Sequence, residues 1–452
     1  MHALTSIHQD LLHIRTAALQ AVDPALAVRR YLQRTSSRLD LGATTWDLDP
    51  AGRVFLVAAG KAAVPMVLAA AELLGESLTS GVLVTRYGHA GGAVLPPRLK
   101  LFEAGHPIPD ENGLAGAQAI LKLLAQLEPA DHLLVLLSGG ASALIPCPAP
   151  PVTLADLQRL TNLFLSCGAT INELNAVRKH LDLLKGGRLA QAAGSAGLVA
   201  LILSDVVGDP LEVIASGPTA PDPTTFADAL GVLERYALLE NTPPAVLQRI
   251  QQGATGQLSE TPKPGDPLFD RVSNQVIGSN RLAAQAAVVA ARRLGYTTLL
   301  LSTRLQGEAR EIGKVAAALA SSCLKEGDPL PAPACLVLGG ETTVTMAAPG
   351  LGGRNQELAL SAALGIAGLP RTAIMALATD GSDGPTDAAG AIVDGQTWNI
   401  IQQHGRSPAA DLFQHNSFPA LQAANALMFT GPTGTNVNDL LVILVAAENQ
   451  DG

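Results

Sequence analysis

The residues best suited to chemistry lie at 379–387, directly after the apolar run 374–378. Such a run is typical of a buried strand, and ligands bind beyond the carboxyl ends of strands in open α/β sheets. The segment carries Asp380 and Asp383, whose carboxylates suit Mg²⁺ beside phosphate. We therefore predict both as metal ligands. The alternative is that these Asp-Gly pairs only form turns.

A lysine occupies a comparable place in the first half of the chain. Gly60 and Lys61 follow the apolar run 54–58 and precede the helical pattern 63–74. A cation at a helix start costs roughly 0.3–1 kcal/mol unless an anion offsets the helix dipole, and a bound phosphate or carboxylate would do so. We predict that both residues contact such an anion and that Lys61 is catalytic. The alternative is a solvated lysine.

An arginine repeats this pattern in the second half, where Gly353, Arg354 and Asn355 precede the helical run 358–364. The planar guanidinium group suits a two-point contact with a phosphate or carboxylate. We predict that Arg354 is catalytic and that its two neighbours bind the same anion.

Two glycine-rich loops follow further predicted strands. The first offers bare backbone N–H groups and two hydroxyls, as a phosphate-binding nest does, through Ser138, Gly139, Gly140 and Ser142. The second, at 339–343, adds the carboxylate of Glu341, a further candidate metal ligand. The alternative for each loop is an ordinary turn between a strand and a helix.

The densest basic stretch of the chain lies at 175–188. Asn175 and Arg178 are three residues apart and therefore share a helix face. We predict that these two residues and Lys185 bind a phosphate or a carboxylate. We interpret Lys179 as part of a solvated helix face.

Two more segments contribute candidates. Asp205 follows the apolar run 199–203, where its carboxylate could position a hydroxyl or hold a metal. The loop 431–439 precedes the last predicted strand and could face a ligand through Thr433, Gly434, Thr435 and Asn436. The alternative for this loop is ordinary turn chemistry.

Composition limits the class of protein. The 452 residues are 48% hydrophobic and 3% aromatic, which favours aliphatic helices packed on a parallel sheet. The net charge of −9 argues against a general nucleic-acid binder. Four cysteines without a C-x-x-C pair indicate neither a zinc site nor a dithiol site. We see no signal peptide and no membrane-spanning run, so we expect a cytoplasmic protein.

The elements that would position these residues alternate between strand and helix patterns, which predicts βαβ units and a parallel sheet. A segment rich in proline and glycine, 241–273, is the predicted domain boundary. We therefore predict two domains, 1–250 and 251–452. We also predict that a helix begins within 276–280, with Asn280 as its N-cap.

Taken together and in order, these motifs resemble those of the class II glycerate kinases, the family with a C-terminal MOFRL domain. The segments that carry the resemblance extend from the first half of the chain to its end: 59–62, 137–142, 175–180, 185–190, 203–209, 216–219, 339–344, 353–357, 379–387 and 431–439.

The resemblance implies an activity and a fold. It implies ATP- and Mg²⁺-dependent phosphorylation of D-glycerate to 2-phosphoglycerate, and the choice of the 2-hydroxyl rests on it alone. It also implies a Rossmann-like N-terminal domain, a smaller C-terminal α/β domain and an active site in the cleft between them. Within that site we expect Asp205 to orient the attacking hydroxyl. Family members have also been called hydroxypyruvate reductases, which would need a nicotinamide cofactor.

Two other functions stay open at this point: such a reductase, and a non-catalytic sensor of a sugar acid or nucleotide. We expect small-molecule partners, with neither nucleic acid nor membrane among them. A homodimer is one open assembly state.

Overall fold

The computed structural model describes residues 2–35, 37–48, 52–346 and 348–448. The chain forms two compact units, Pro24–Ile277 and Met1–Asp23 with Gly278–Gly452. The predicted division into 1–250 and 251–452 therefore differs from the observed one in two places. Residues 1–23 belong to the later unit, and the boundary in the middle of the chain lies after residue 277. The proline- and glycine-rich segment does not separate the units, because Val246 and Ile250 are fully buried in the first one. Helix α1 (His2–Ala21) belongs with the later part of the chain.

The unit 24–277 contains nine helices and nine strands among the described residues. The helices are α2 (Pro24–Tyr31), α3 (Ala63–Leu74), α4 (Glu111–Leu124), α5 (Ala141–Leu144), α6 (Leu154–Cys167), α7 (Ile171–His180), α8 (Arg188–Ala192), α9 (Phe226–Arg235) and α10 (Pro244–Ala254). The strands are β1 (Leu32–Thr35), β2 (Arg38–Leu41), β3 (Thr44–Asp47), β4 (Val54–Ala59), β5 (Leu78–Arg86), β6 (Leu99–Ala104), β7 (His132–Leu137), β8 (Gly197–Leu203) and β9 (Val272–Gly278).

The large sheet of this unit has the strand order β6-β5-β4-β7-β8-β9. The pairs β4–β5, β5–β6, β4–β7 and β7–β8 are all parallel, as predicted. Strands β4 and β7 are buried on both faces, which explains their uninterrupted apolar sequences. Since parallel strands end at the same edge of a sheet, five loops meet there. A separate antiparallel sheet of β1, β2 and β3 was not predicted.

The other unit adds to α1 the helices α11 (Asn280–Arg293), α12 (Ala309–Lys325), α13 (Arg354–Gly365), α14 (Thr397–Gln403), α15 (Pro408–Phe413) and α16 (Ser417–Ala423). Its strands are β10 (Thr297–Leu305), β11 (Ala334–Gly340), β12 (Thr372–Ala378), β13 (Gly390–Asp394), β14 (Leu427–Met428) and β15 (Asp439–Val445). They form one sheet, in the order β10-β11-β15-β12-β13-β14.

This second sheet is mixed rather than parallel. Among its described strands only β10 and β11 pair in parallel, and β15 pairs antiparallel with both β11 and β12. The predicted helix start within 276–280 is also wrong in detail, because Val272–Gly278 is a strand. The hydroxyl of Ser279, not Asn280, caps α11 by accepting the N–H of Leu282.

Both units are α/β structures, as the sequence predicted. The cleft expected between the domains stays a prediction. None of the described helices combines the length and apolar character that crossing a bilayer requires.

Candidate functional site

The carboxyl edge of the parallel sheet collects several of the predicted residues. Lys61 follows β4, the loop 138–142 follows β7, and Asp205 follows β8. His106, for which the sequence suggested no role, follows β6 at the same edge. This is the edge at which open α/β sheets bind their ligands.

Two glycines of the loop 138–142 allow its neighbours to approach closely. A Cβ atom on Gly139 would lie 2.1 Å from Oδ2 of Asp205. Gly140 has a φ of +87°, and a Cβ atom there would lie 3.0 Å from Cδ2 of His106 and 3.5 Å from Cε of Lys61. A larger residue at either position would push these groups away. The loop therefore brings Asp205, His106 and Lys61 to one place.

Ser138 braces this loop. Its hydroxyl is buried and accepts the N–H of Ala62 at 3.0 Å, while the N–H of Lys61 donates to the carbonyl of Gly139 at 2.9 Å. A Cβ atom on Gly60 would lie 2.1 Å from the Ser138 hydroxyl oxygen. These contacts hold the two loops together, and they leave the predicted anion contacts of Gly60 and Ser138 without support.

Asn175 and Ser142 belong to a second internal chain of hydrogen bonds. Ser216 donates to Oδ1 of Asn175 at 2.8 Å, and its hydroxyl also lies 2.8 Å from that of Ser142. The amide group of Asn175 donates to the carbonyl of Val213. Asn175 is 2% exposed, so it orders the loops around Ser216 rather than offering its polar atoms to a ligand.

Arg178 remains a candidate ligand for an anion. It lines a small hollow of about 20 Å³ with Ser142 and Thr161, and one of its N–H groups donates to the Thr161 hydroxyl at 3.4 Å. Burial lowers the pKa of Arg178 to about 10, despite the opposing charge of Asp182. The cation is thus poorly solvated, and a bound anion would stabilise it.

Two lysines of the same basic stretch are paired inside the protein. Nζ of Lys185 lies 2.6 Å from Asp182 and 3.2 Å from the carbonyl of Ile145, so its predicted role in binding substrate has no support here. Lys179 is 2% exposed and lies 3.1 Å from Asp222. The interpretation of Lys179 as solvated is therefore wrong.

The unit that contains residues 278–452 holds a cavity of about 810 Å³. Its lining includes the predicted residues Glu341, Gly353, Arg354, Asp380 and Asp383. Volumes of this size suit a ligand as large as a nucleotide. Carboxylates outnumber cations in the lining, so a bare anion would be repelled unless a cation accompanied it.

Arg354 stands at the first position of α13 and is committed to carboxylates. Its Nε and one terminal nitrogen contact the two oxygens of Asp439 at 2.6 and 3.0 Å, and the other terminal nitrogen contacts Glu341 at 2.7 Å. Burial opposes the charge of Arg354, but its hydrogen bonds to Asp439 raise its pKa above the usual value. The predicted two-point contact exists, and its partner is a residue of the protein.

Asp383 is part of the fold rather than an open metal ligand. Its Oδ1 accepts the N–H of Asn355 at 3.2 Å and its Oδ2 that of Gln356 at 2.8 Å, so it caps the start of α13. The side-chain amide of Asn355 also donates to Oδ1. These bonds commit Asn355 to the cap and leave its predicted anion contact without support.

No group of three His, Cys, Asp or Glu side chains in the described ranges is arranged to hold a metal ion. The three predicted ligands therefore do not form a ready-made metal centre. Glu341 and Asp380 still line one cavity, and the side chain of Glu341 is 44% exposed. Two carboxylates that face substrate phosphates are a common arrangement for Mg²⁺.

The loop 431–439 folds back on its own unit. The hydroxyl of Thr433 donates to the carbonyl of Thr379 at 2.6 Å, and that of Thr435 donates to the carbonyl of Val22 at 2.8 Å. Asn436 accepts the N–H of Asn438. The alternative of ordinary turn chemistry describes these side chains better than ligand binding does. Gly434, at a φ of +78°, completes the turn.

Three groups near these sites were not among the residues predicted from the sequence. Asp439 pairs with Arg354, and His415 contacts Glu357 at 2.8 Å on the wall of the cavity. Nothing in the sequence connects His415 with Glu357, because 58 residues separate them. His106 could have been proposed from the sequence, because it follows an apolar run that predicts a strand, as Lys61 and Asp205 do.

Two protein families match the chain. Residues 10–251 match a family described as a domain of unknown function, DUF4147, and residues 334–439 match the MOFRL family. The two matches fall largely within the two structural units.

Named relatives are similar over nearly the whole chain. A glycerate 2-kinase of Pyrococcus horikoshii is 42% identical over 95% of this chain and 96% of its own. A putative hydroxypyruvate reductase of Agrobacterium vitis is 40% identical over 97% of this chain and 95% of its own. The crystal structure of a glycerate kinase from Thermotoga maritima superposes with a TM-score of 0.87, at 42% identity over 98% of this chain and 100% of its own.

Proposed function

The chain belongs to the class II glycerate kinase family, and from that premise we propose that it transfers the γ-phosphoryl group of ATP to the 2-hydroxyl of D-glycerate. The products are 2-phosphoglycerate and ADP. One observation of the structure carries the proposal. Lys61 lies two residues before the start of α3, beside a glycine-rich loop, and within the described residues no carboxylate forms an ion pair with its ammonium group. A cation held in this position favours a negatively charged ligand.

The residues at this edge have complementary roles in phosphoryl transfer, where a protein mainly positions groups and balances charge. Lys61 and Arg178 offset the negative charge of the substrate. Asp205, held against Gly139, orients the attacking hydroxyl of glycerate and accepts its proton as the bond to phosphorus forms. Gly139 and Gly140 of the loop 138–142 allow Asp205 and Lys61 to approach this place closely.

We assign the nucleotide and its metal ion to the cavity of the 278–452 unit. Asp380 and Glu341 would hold Mg²⁺ together with oxygens of the phosphate groups. The metal ion supplies positive charge that neutralises the triphosphate. Asp383 is left out of this set because both its oxygens cap α13.

The proposal is tested by ³¹P NMR of a mixture of protein, ATP, Mg²⁺ and D-glycerate. We expect a monoester signal whose coupling to the proton on carbon 2 identifies 2-phosphoglycerate. Lys61→Ala should lower turnover by at least ~10², as expected for loss of a group that stabilises developing charge. Lys122→Ala, at an exposed lysine of the same unit, is the matched control. Coupling of the phosphorus to the protons on carbon 3 instead would refute the assigned position of transfer. Absence of any phosphorylated product would refute the kinase activity.

The relative from Agrobacterium vitis makes a reductase the second candidate. Its test is the consumption of NADH or NADPH in the presence of hydroxypyruvate. We expect none above the rate of a protein-free control. Reduction of hydroxypyruvate without formation of ADP in the kinase assay would favour the reductase.

A further inference from the structure

His106 lies at the carboxyl edge of the parallel sheet, where open α/β sheets bind their ligands. It follows β6, and Cδ2 and Nε2 of its ring lie 3.0 and 3.2 Å from the position of a Cβ atom on Gly140. The residue is only partly buried. Among the described residues, neither ring nitrogen of His106 has a hydrogen-bond partner. A partly buried imidazole with two unused nitrogens, beside a backbone loop and a lysine, can offer either nitrogen to a ligand.

Four basic groups, from several elements, act on this ring, and two carboxylates lie close to it: Asp205, against Gly139, and Asp110, which accepts the N–H of Gly105. Lys61 follows β4, Arg86 ends β5, His89 lies in the loop after β5, and Arg178 belongs to α7. Burial, and then these four groups, lower the pKa of His106 to about 4. The imidazole is therefore neutral near pH 7, with one nitrogen as a hydrogen-bond donor and the other as an acceptor.

We propose that His106 is a substrate-binding residue, whose imidazole N–H donates a hydrogen bond to the carboxylate of glycerate beside the ammonium group of Lys61. This inference rests on the proposed function and deepens it. A carboxylate is charged at neutral pH without any metal ion, so it suits a patch of cations. The neutral ring adds a directed donor there without adding another like charge.

Nucleotide phosphates would supply oxyanions of similar chemistry, so the test separates the two sources. The variants are His106→Ala, which removes the donor, and His106→Asn, which keeps a side-chain N–H. We expect His106→Ala to raise the KM for D-glycerate about ten- to hundredfold, the effect of losing a hydrogen bond to a charged group. The KM for ATP should not change, and His106→Asn should recover most of the loss.

The control is His13→Asn, at an exposed histidine of α1, which should leave both KM values unchanged. Circular dichroism and the melting temperature of each variant establish that it is folded. An unchanged KM for D-glycerate in folded His106→Ala would overturn the proposal. A rise in the KM for ATP alone would also overturn it, because it would place the ring against phosphate.

A second measurement does not depend on turnover. The Cε1 proton of His106 is titrated by NMR in the wild-type protein, without nucleotide, in the absence and presence of D-glycerate. A bound carboxylate offsets the surrounding cations, so we expect the pKa of His106 to rise on binding. If the kinase assay fails but D-glycerate still raises this pKa, the ligand assignment stands and only the proposed function is lost. If saturating D-glycerate leaves this signal unchanged, the assignment of His106 is wrong.

Discussion

At the scale of single residues, the partner of a charged group separates chemistry from structure. The sequence predicts an anion contact for Lys61 and Lys185 and a solvated position for Lys179. Lys179 lies 3.1 Å and Lys185 2.6 Å from a buried carboxylate. Lys61 lies instead at the carboxyl edge of the sheet, beside His106. A buried ion pair fixes its cation in the fold, so only Lys61 retains its charge for a ligand.

For Arg354, too, a structural role must be separated from a catalytic one, and mutation can test which role it has. Its contacts to Asp439 and Glu341 allow either a structural role or a catalytic one. We expect Arg354→Ala to lower kcat/KM at least ~10²-fold if the guanidinium group meets substrate charge in the transition state. The variant also leaves Asp439 unpaired, and that loss of stability must be separated from the loss of activity.

The double variant Arg354→Ala/Asp439→Asn makes this separation. Asparagine removes the unpaired charge but supplies no cation. We expect the double variant to regain stability in urea unfolding but not activity. Recovery of activity would show instead that Arg354 serves only to neutralise Asp439. Arg304→Ala, at an exposed arginine of the same unit, is the control.

The pair Lys179–Asp222 gives a prediction about stability. Its side chains are 3% and 0% exposed, and removing one partner of a buried pair costs about 3–5 kcal/mol. We expect Lys179→Ala to lower the free energy of unfolding by this order at pH 7, measured with urea. Lys314→Ala, which breaks the exposed pair with Glu311, should cost far less.

The loss in Lys179→Ala should depend on pH in a defined direction. Burial alone would raise the pKa of Asp222, but Lys179 and the hydrogen bonds from Thr224 hold it below its usual value. A carboxyl with a depressed folded pKa stabilises the protein above its unfolded pKa, about 3.9, and less as the pH falls through the folded value. The difference between wild type and variant should therefore shrink below about pH 4. An equal difference at pH 7 and pH 3 would contradict this account.

At the scale of elements, the start of α13 shows how one segment can imitate a metal site. The N–H groups at a helix start have no partners within the helix, and Asp383 accepts two of them. The aspartate lies 28 residues after Asn355 in the chain, so the cap is not visible as a local sequence pattern. The segment 379–387 therefore contributes a structural carboxylate as well as Asp380.

This interpretation of Asp383 predicts a loss of stability rather than of metal affinity. Asp383→Ala should lower the free energy of unfolding by about 0.5–2 kcal/mol, the usual effect of losing a cap. The concentration of Mg²⁺ that gives half-maximal activity should not change. Asp387→Ala, at an exposed carboxylate of the same loop, should alter neither quantity. A large increase in the Mg²⁺ requirement of Asp383→Ala would restore Asp383 as a metal ligand.

At the scale of the whole molecule, the first helix completes the unit formed by the end of the chain. Ile7, Leu11 and Ile14 of α1 are buried. Tyr296 donates to Asp10 at 2.7 Å, and the carbonyl of Val22 accepts from Thr435 at 2.8 Å. Residues from the two ends of the sequence thus share one core.

Deletion of residues 1–23 should therefore destabilise the 278–452 unit selectively. We expect faster amide hydrogen exchange in α11 and β12, which pack against α1, and little change in β4 and β7 of the other unit. Tyr296→Phe, which removes a single hydrogen bond to α1, should have a much smaller effect. Equal acceleration of exchange in both units would show that α1 supports the whole molecule instead.

The strands of the parallel sheet, and the places where polar loops leave it, were predictable from the sequence alone. Local patterns suffice for this, because a strand buried on both faces must be apolar along its length and its loop must turn. The family was also recognisable from the sequence, because the motifs and their order along the chain can be read without a structure. The positions of Lys61 and Asp205 directly after two of these strands were predicted in this way.

Which polar residues already have hydrogen-bond or ion-pair partners is visible only in the folded structure. The pairing of Lys185 with Asp182, the bonds of Thr435 and the helix cap of Asp383 follow from contacts made on folding. The structure also moved α1 into the later unit and made the second sheet mixed. A sequence shows which atoms can bond, but a buried group takes the partner that folding brings within reach. Distance along the chain does not reveal that partner.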